Sequence, residues 1–310
     1  MNIAITGASG FIGKSLLKRC LAEGHSVRVL TRRTQEDFPP QTVICEGDLT
    51  GTLPRALVDN TDVLFHCAGE IRDPRRMYAV NVSGTANLIA LASGCVGRWV
   101  QLSSVGTYGP RLEGEVTEEA QELPLGPYEI SKSRADGLVA AAAGKGAFEY
   151  SVLRPSIVFG AGMPNRSLFQ MIGMIDRGLF FFIGKRGAAA NYVHVDNAVA
   201  ALLLCAREAA AGGRVYNLSD HRSMEAFVAA IATALGRPVP RLRLPKAPMR
   251  VAARLLSAVP GFPLTVARVQ ALCGRASYPI DRIARELGYR HSVSMEEGLA
   301  ETVRAWRGLS

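Results

Sequence analysis

The sequence predicts an α/β protein built on a doubly wound parallel sheet, with a smaller, mainly helical C-terminal part. Two observations support this fold class. Short β-type runs alternate with helical patterns over the first half of the chain, which is typical of parallel strands covered by helices on both faces. The chain has 310 residues, of which 48% are hydrophobic and 20% are charged, so it can also bury a large core.

The predicted strands are short apolar runs, and the predicted helices carry apolar residues at helical spacing. In the first helix this stripe includes Ile12, Leu16 and Cys20, and Gly24 ends the helix. Strands are expected at residues 2–5, 26–30, 43–45, 62–66, 98–102, 150–153 and 215–218. Helices are expected at residues 11–23, 80–92, 224–235 and 247–258, with another around residues 128–132.

The charge distribution and the cysteine spacing indicate which ligands and which cellular location to expect. The formal net charge is +9, but no run of like charge exceeds a pair such as Arg32-Arg33, so nucleic-acid binding has little support. Six scattered cysteines without a CxxC motif are typical of reduced thiols, and we expect a cytoplasmic location. The first residues lack a basic region followed by a long apolar segment, so no signal peptide is expected.

Two segments are considered for contact with a membrane. The densest apolar run, at residues 179–183, is far too short to span a bilayer, so no integral membrane segment is expected. Residues 248–260 have a basic amphipathic pattern. Such a helix either contacts a membrane surface or, as is commoner, packs on its own domain.

The stretch TGASGFIG at residues 6–13 predicts a phosphate-binding turn. Its glycines, Gly7, Gly10 and Gly13, lie between the first predicted strand and the first predicted helix. Glycine lets the backbone approach a pyrophosphate closely, and the amino end of a helix offers unpaired N–H groups to it. The alternative is a tight turn without a ligand. The position between strand and helix at the start of a β-α-β series favours a dinucleotide site.

Residues after the next strands indicate which dinucleotide binds. Arg32 follows the second strand, where an NAD site usually has a carboxylate, so we expect NADP, with NAD as the alternative; Arg32 is otherwise a surface arginine. Asp48 follows the third strand and either accepts the adenine amino hydrogens or caps the next turn. His66 precedes small residues and is expected to be a packed histidine, since no ligand set for a metal stands near it.

The segment YEISK at residues 128–132 supplies groups for carbonyl chemistry. Tyr128 and Lys132 are four residues apart and so share one face of a helix. Transfer of a hydride to a carbonyl leaves an alkoxide that needs a proton, and a nearby ammonium together with the cationic nicotinamide is expected to lower the pKa of a phenol. Ser104, at the end of the fifth strand, is expected to hold the carbonyl oxygen by a hydrogen bond.

These motifs occur in an order that resembles a known family. TGxxGxxG is followed by Asp48-Leu49, HCAG at 66–69, NVSGT at 81–85, SSVGTYG at 103–109, YEISK at 128–132, LRPSIVFG at 153–160 and YVHVDN at 192–197. Together they resemble an extended short-chain dehydrogenase/reductase of the nucleotide-sugar epimerase and 4-keto reductase group. The resemblance covers nearly the whole chain and implies a Rossmann-type fold.

The resemblance also implies roles for individual residues and segments. Ser104, Tyr128 and Lys132 are expected to be catalytic. The cofactor is expected to contact Gly7, Gly10, Phe11, Ile12, Gly13, Arg32, Asp48, Leu49, Cys67, Ala68, Gly69, Asn81, Tyr128, Lys132 and Pro155. Substrate contacts are expected from Ser104, Thr107, Asn165 and Arg275. Residues 1–158 and about 191–220 are expected to form the dinucleotide-binding domain, and about 159–190 and 221–310 the substrate-binding domain.

Two departures from the family pattern bear on the reaction. The arginine that usually grips the substrate diphosphate in UDP-sugar epimerases is Ala190 here, and Arg275 or Arg186 is the available substitute. Dehydratases carry an acid beside the catalytic serine, whereas Val105 and Gly106 follow Ser104, so elimination chemistry is not expected.

The function expected from the sequence is NADP-dependent reduction of a nucleotide-activated 4-keto sugar, such as a UDP-linked deoxy-N-acetyl sugar for surface polysaccharide synthesis. The first alternative is a UDP-sugar 4-epimerase with bound NAD. Further alternatives are another ketone reductase of the same fold and a non-catalytic NADPH-binding protein. The expected partner is a nucleotide sugar, and family members often form homodimers through two helices of each subunit.

Overall fold

The structure, a computed structural model, describes residues 1–32, 37–164, 166–255, 269–270 and 272–309. The strands are β1 Asn2–Thr6, β2 Ser26–Thr31, β3 Thr42–Glu46, β4 Thr61–His66, β5 Val96–Leu102, β6 Glu113–Glu115, β7 Glu149–Pro155, β8 Ile157–Phe159, β9 Phe182–Ile183, β10 Ala189–His194, β11 Arg214–Leu218, β12 Asp220–Ser223, β13 Arg243–Leu244 and β14 Arg275–Ser277. The helices are α1 Phe11–Ala22, α2 Pro74–Met77, α3 Gly84–Ala92, α4 Pro127–Ala143, α5 Arg166–Asp176, α6 Val195–Arg207, α7 Met224–Leu235, α8 Lys246–Leu255, α9 Asp281–Leu287 and α10 Met295–Leu309.

Seven strands form the central sheet in the order β11-β7-β5-β4-β1-β2-β3, and every pair is parallel. All seven predicted strands lie in this sheet, which confirms the predicted fold class. The chain runs outward from β1 in one direction through β2 and β3, and then returns to continue on the other side with β4. This reversal leaves a crevice at the carboxyl ends of β1 and β4, where ligands bind in doubly wound folds.

Helices cover both faces of the sheet because each contributes one apolar stripe to a buried cluster. On one face, Leu16 of α1 and Leu202 of α6 pack with sheet residues. On the other face, Leu88 of α3 and Val139 of α4 pack against Trp99 of β5. The helix predicted at residues 80–92 begins with a π-helical turn, Tyr78–Ser83, and continues as α3.

The C-terminal part has its own buried cluster, formed largely by α5, α7, α10 and β10. It also contains short strands that the sequence did not predict, in the three-stranded sheet β12-β10-β8 and the pair β13-β9. The helix predicted at residues 247–258 begins at Lys246 and is described as far as Leu255; its last predicted residues lie outside the described part of the chain. None of the helices among the described residues combines the length and the apolar character that a bilayer crossing requires.

Candidate active site

A cavity of about 350 Å³ lies at the carboxyl ends of β1, β2 and β4. It is lined by the turn after β1, the end of β2 and the loops that follow β3 and β4. The crevice left by the chain reversal is therefore open. Eight of the predicted cofactor residues line this cavity: Gly7, Gly10, Arg32, Asp48, Leu49, Cys67, Ala68 and Gly69.

The three glycines of the turn have different physical roles. Gly7 has φ +74°, and a Cβ there would stand 2.6 Å from the backbone nitrogen of Ala68. A Cβ on Gly13 would stand 2.1 Å from the carbonyl oxygen of Gly7. Gly10 has φ −75°, and a Cβ there would meet only that same oxygen, at 3.2 Å. Gly7 and Gly13 thus permit close packing of backbone segments, whereas Gly10 leaves a part of the cavity wall without a side chain.

The amino end of α1 fits a phosphate group. Gly10 precedes the helix and no side chain caps it, so the first N–H groups, including those of Phe11 and Ile12, receive no side-chain acceptor. The side chains of Phe11 and Ile12 pack into the protein instead. The turn therefore matches the predicted pyrophosphate site in its geometry.

Charged groups surround the other end of the cavity. Arg32 is exposed, and its Nη1 lies 4.0 Å from Oδ2 of Asp48. Asp48 Oδ1 accepts 2.9 Å hydrogen bonds from the amide and the hydroxyl of Thr50, so this carboxylate both caps a turn and faces the cavity. The hydrogen bond from the Thr50 amide, with a smaller effect of the charges of Arg32 and Arg76, holds the pKa of Asp48 below its usual value. Arg76 also lines the cavity, although no motif in the sequence indicated this position.

His66 is buried behind the cavity in a chain of hydrogen bonds. The hydroxyl of Thr85 donates to the carbonyl of Asn81 (2.6 Å), so it accepts from Nε2 of His66 (3.0 Å). Nδ1 of His66 then accepts from the hydroxyl of Thr6 at 2.7 Å. Burial, with a smaller effect of the charge of Lys132, lowers the pKa of His66 to about 3. The predicted packed histidine is confirmed, and the described residues contain no cluster of metal ligands.

The structure brings the three predicted catalytic residues together. Lys132, on α4, donates from Nζ to the carbonyl of Leu102 at the end of β5 (2.8 Å). Gly69 lines the cavity, and a Cβ added to it would stand 3.3 Å from the same Nζ. Ser104 begins the turn after β5 and accepts from the amide of Gly106 (3.0 Å), and its hydroxyl is a neighbour of the Tyr128 phenol, whose pKa it influences. The hydroxyl, phenol and ammonium therefore meet at the carboxyl edge of the sheet.

The protein's own groups raise the pKa of Tyr128, and the lowering expected from an ammonium together with a cationic nicotinamide stays a prediction. Burial raises the pKa of Tyr128 to about 12, against a smaller lowering effect of the hydrogen bond with Ser104. Lys132 is not among the groups that shift the pKa of Tyr128. Burial lowers the pKa of Lys132 itself, and its ammonium donates to the carbonyl of Leu102. The phenol is therefore held protonated, as a proton donor requires.

A buried charge network behind Lys132 was not predicted. Asp136, one helical turn after Lys132, accepts from Ser103 at 2.7 Å and from Nη2 of Arg154 at 3.0 Å. Arg154 also pairs with Glu122. The charge of Asp136 partly offsets the effect of burial on Lys132. The signal available in the sequence was an acid four residues after Lys132, on the same face of the helix.

Several predicted residues have supporting positions rather than positions on the cavity. Thr107 is fully buried and its hydroxyl donates to the carbonyl of Ser104 (3.1 Å), so it stabilises the turn and does not face a substrate. Asn81 is buried, and its amide bonds Glu70 and Ser131, which ties the loop after β4 to α4. Pro155 ends β7 inside the sheet.

The predicted substrate arginines lie in the C-terminal part. Arg275 of β14 is exposed and donates to the carbonyl of Arg186 at 2.6 Å. Ala190, at the position of the family's diphosphate-binding arginine, is buried in β10. Asn165 lies outside the described residues.

Comparisons with known proteins agree with this geometry. The model of the NAD dependent epimerase/dehydratase family matches residues 3–219. A "4-hydroxy-2-methyl-3-oxo-4-farnesyl-3,4-dihydroquinoline-1-oxide ketoreductase" of Stigmatella aurantiaca is 29% identical, with 96% of this chain and 95% of the relative aligned. An "N-acetyl-alpha-D-glucosaminyl-diphospho-ditrans,octacis-undecaprenol 4-epimerase" of Escherichia coli O157:H7 is 26% identical, with 98% and 94% aligned.

A solved structure shows the same fold over the full chain. UDP-glucuronic acid 4-epimerase from Bacillus cereus, in complex with NAD, superposes with a TM-score of 0.78 at 17% identity, and covers 100% of this chain and 99% of that one. The family match extends over more than half of the chain and includes the glycine turn, Ser104, Tyr128 and Lys132. The chain therefore belongs to the NAD dependent epimerase/dehydratase family, as an enzyme of the extended short-chain dehydrogenase/reductase type.

Proposed function

We propose that the protein is an NADP-dependent reductase of a nucleotide-activated 4-keto sugar, such as a UDP-linked deoxy-N-acetyl sugar used for surface polysaccharides. The observation that carries the reductase assignment is the meeting of Ser104, Tyr128 and Lys132 beside a cavity that ends at the amino terminus of α1. A hydroxyl, a protonated phenol and an ammonium at that edge match the requirements of carbonyl reduction.

The catalytic roles follow from the chemistry of each group. The nicotinamide, when bound, supplies the hydride that adds to the carbonyl carbon. Ser104 donates a hydrogen bond to the carbonyl oxygen and positions it. Tyr128 gives its phenolic proton to the alkoxide that forms, and the product is an alcohol. Lys132 provides a positive charge next to this proton transfer, and Asp136, through its own negative charge, helps to keep Lys132 protonated.

The proposed cofactor preference rests on the charges at the adenosine end of the cavity. Arg32 and Arg76 both line the cavity there. A guanidinium can bind a 2′-phosphate through paired hydrogen bonds, which suits NADP better than NAD. Asp48 supports either cofactor, because its Oδ2, which is not bonded to Thr50, can accept from the adenine amino group. The family and its relatives are compatible with both cofactors.

A ketone on a lipophilic molecule is the second candidate substrate, and specific observations favour it. Ala190 replaces the arginine that grips the diphosphate in UDP-sugar epimerases. Leu123 and Leu125 are exposed just before Tyr128. Relatives at 27–29% identity include the farnesyl-bearing quinoline ketoreductase, a "2-alkyl-3-oxoalkanoate reductase" and a "3 beta-hydroxysteroid dehydrogenase". Two of these relatives are named as ketone reductases, and none of the three names mentions a nucleotide.

We also propose that the chain is divided into two domains, with the bounds expected from the sequence. Residues 1–158 and about 191–220 would bind the dinucleotide, and about 159–190 and 221–310 would bind the substrate. The buried cluster of α5, α7 and α10 gives the second unit a core of its own. A homodimer and a cytoplasmic location are likewise proposals, to be tested by sedimentation and by cell fractionation.

One experiment separates these functions. The purified protein is given NADPH together with a UDP-4-keto sugar, or with a 2-alkyl-3-oxoalkanoate, and loss of nicotinamide absorbance is followed. Consumption with the sugar supports the leading proposal, and consumption with the oxoalkanoate alone supports the second candidate. Interconversion of UDP-sugars without net consumption, with NAD retained through purification, would replace the reductase by an epimerase. Binding of NADPH without any turnover would contradict an enzymatic role with these substrates.

A further inference from the structure

The positive charge of the chain is concentrated in one segment. Residues 226–280 contain no Asp or Glu, whereas they contain seven arginines and one lysine. The formal net charge of the whole chain is +9, so the remaining residues together contribute only +1. This excess is therefore not a general property of the surface. The cations of the segment are Arg237, Arg241, Arg243, Lys246, Arg250, Arg254, Arg268 and Arg275.

Some of these cations have partners and others face outward. Arg237 pairs with Asp176, and Arg243 pairs with Glu225 while it lies over the ring of Phe182. By contrast, Arg241, Lys246 and Arg250 are exposed and form no ion pair with the described residues. Their charges are thus available to a partner in solution.

Helix α8 presents its cations in a regular stripe. Lys246, Arg250 and Arg254 follow one another at i, i+4 and i+8, so they lie along one side of the helix. Met249 and Ala253 of the same helix pack on the protein with Ile183. The predicted packing of this helix on its own domain is therefore correct for one side. Lys246 and Arg250 lie beside this packed side and are themselves exposed.

Exposed apolar side chains accompany the cations. Val251 is 57% exposed on α8, and in the preceding segment Leu242 is 61% and Val239 is 45% exposed. Residues 237–255 contain no aromatic residue, so bases of single-stranded nucleic acid would find no side chain to stack on. Exposed cations beside exposed aliphatic side chains are typical of a protein surface that lies on an anionic bilayer, with its apolar residues at the level of the acyl chains.

We propose that the surface formed by residues 237–254 docks the protein on a membrane that carries anionic lipids. The exposed cations Arg241, Lys246 and Arg250 contact the lipid phosphates, and Val239, Leu242 and Val251 insert between the headgroups. The long stems of Lys and Arg allow the charged ends to remain at the phosphates while the backbone approaches the bilayer. Binding of this kind is reversible and weakens with salt, because exposed charges are screened.

The test is sedimentation of the full-length protein with phosphatidylcholine vesicles that contain or lack phosphatidylglycerol. The wild-type protein is expected to bind the anionic vesicles selectively and to be released by high salt. The double variant Lys246→Glu/Arg250→Glu is expected to bind at least about 30-fold more weakly, since each cation near an anionic surface contributes about 1 kcal/mol and 1.4 kcal/mol is tenfold. The variant Val251→Ser is expected to weaken binding with little change in its salt dependence.

A matched double variant controls for net charge. Lys18→Glu/Arg214→Glu changes the charge of the protein by the same amount, at exposed cations that lie far from the segment in sequence. Its vesicle binding is expected to stay near that of the wild-type protein. Circular dichroism and NADPH affinity check that each variant is folded. Equal binding to neutral and anionic vesicles, an equal loss in the two double variants, or binding of duplex DNA in place of vesicles would overturn the proposal.

Discussion

A methyl group at Gly7 tests how closely the turn after β1 approaches the loop after β4. Alanine at this position would keep φ near +74°, a conformation that costs an L-residue about 1–2 kcal/mol. Its Cβ would also stand 2.6 Å from the nitrogen and 2.7 Å from the Cα of Ala68, so one backbone segment must move. Overpacking of this kind costs about 1–3 kcal/mol, and the substitution Gly7→Ala is expected to lower the free energy of unfolding by about 2–5 kcal/mol in total.

The chain offers a matched control at Gly24. Its φ is +77°, and a Cβ there would meet nothing within 4 Å. Gly24→Ala therefore carries the conformational cost alone, about 1–2 kcal/mol. Urea denaturation of the two variants gives the difference, which is the cost of the contact with Ala68. Equal destabilisation in the two variants would refute the close approach of the two segments.

A third glycine separates binding from stability. At Gly10 a Cβ meets only the carbonyl of Gly7, at 3.2 Å, and φ is already favourable for alanine. Gly10→Ala is expected to change stability by less than about 1 kcal/mol, yet to weaken NADPH binding at least about tenfold, because the methyl group projects into the space assigned to the pyrophosphate. Isothermal titration measures the affinity. Unchanged affinity would place the pyrophosphate elsewhere.

Three further predictions address separate parts of the site. Arg32→Asp should shift the ratio of kcat/KM values for NADPH and NADH toward NADH, and an unchanged ratio would mean that Arg32 does not contact the 2′-phosphate. Ser104→Ala should lower kcat about 10²-fold, the scale of a lost hydrogen bond to a developing oxyanion, and an undiminished rate would assign that hydroxyl elsewhere. His66 has its pKa lowered to about 3 in the folded protein, so the unfolded chain binds its proton first as the pH falls. As the pH is lowered from about 6.5, this residue should therefore decrease the free energy of unfolding by up to about 1.4 kcal/mol per pH unit. The variant His66→Gln should lack this contribution to the pH dependence. An identical pH dependence in the variant would contradict the assignment.

The strands of the central sheet could be predicted because each is a short apolar run beside a helical stripe. Trp99 and Val100, for example, are buried on both faces of β5, as a parallel strand requires. The two-residue strands β9 and β13 carry no such signal, since two residues show no period. The π-helical turn before α3 also depends on packing that no local pattern records.

The proposed catalytic residues could be identified from motif spacing, but the shifts of their pKa values could not. Tyr128 and Lys132 follow from four-residue spacing on a helix, whereas the pKa of Tyr128 depends on burial that only the folded chain supplies. The pairing of Asp136 with Arg154 joins a helix to a strand 18 residues later, and its effect on Lys132 arises from a shared buried space. Thr107 matched a motif in sequence, yet the turn directs its hydroxyl to the carbonyl of Ser104.

The most direct test of the account is the comparison of the wild-type protein with Tyr128→Phe, by NADPH binding and by turnover of the reducible ketone together. The variant lacks only the phenolic hydroxyl, so NADPH should bind within a few-fold of the wild-type affinity, while kcat should fall by about 10²–10⁴-fold, the scale of a lost general acid. Turnover at the wild-type rate in Tyr128→Phe would contradict the assignment of Tyr128 as the proton donor.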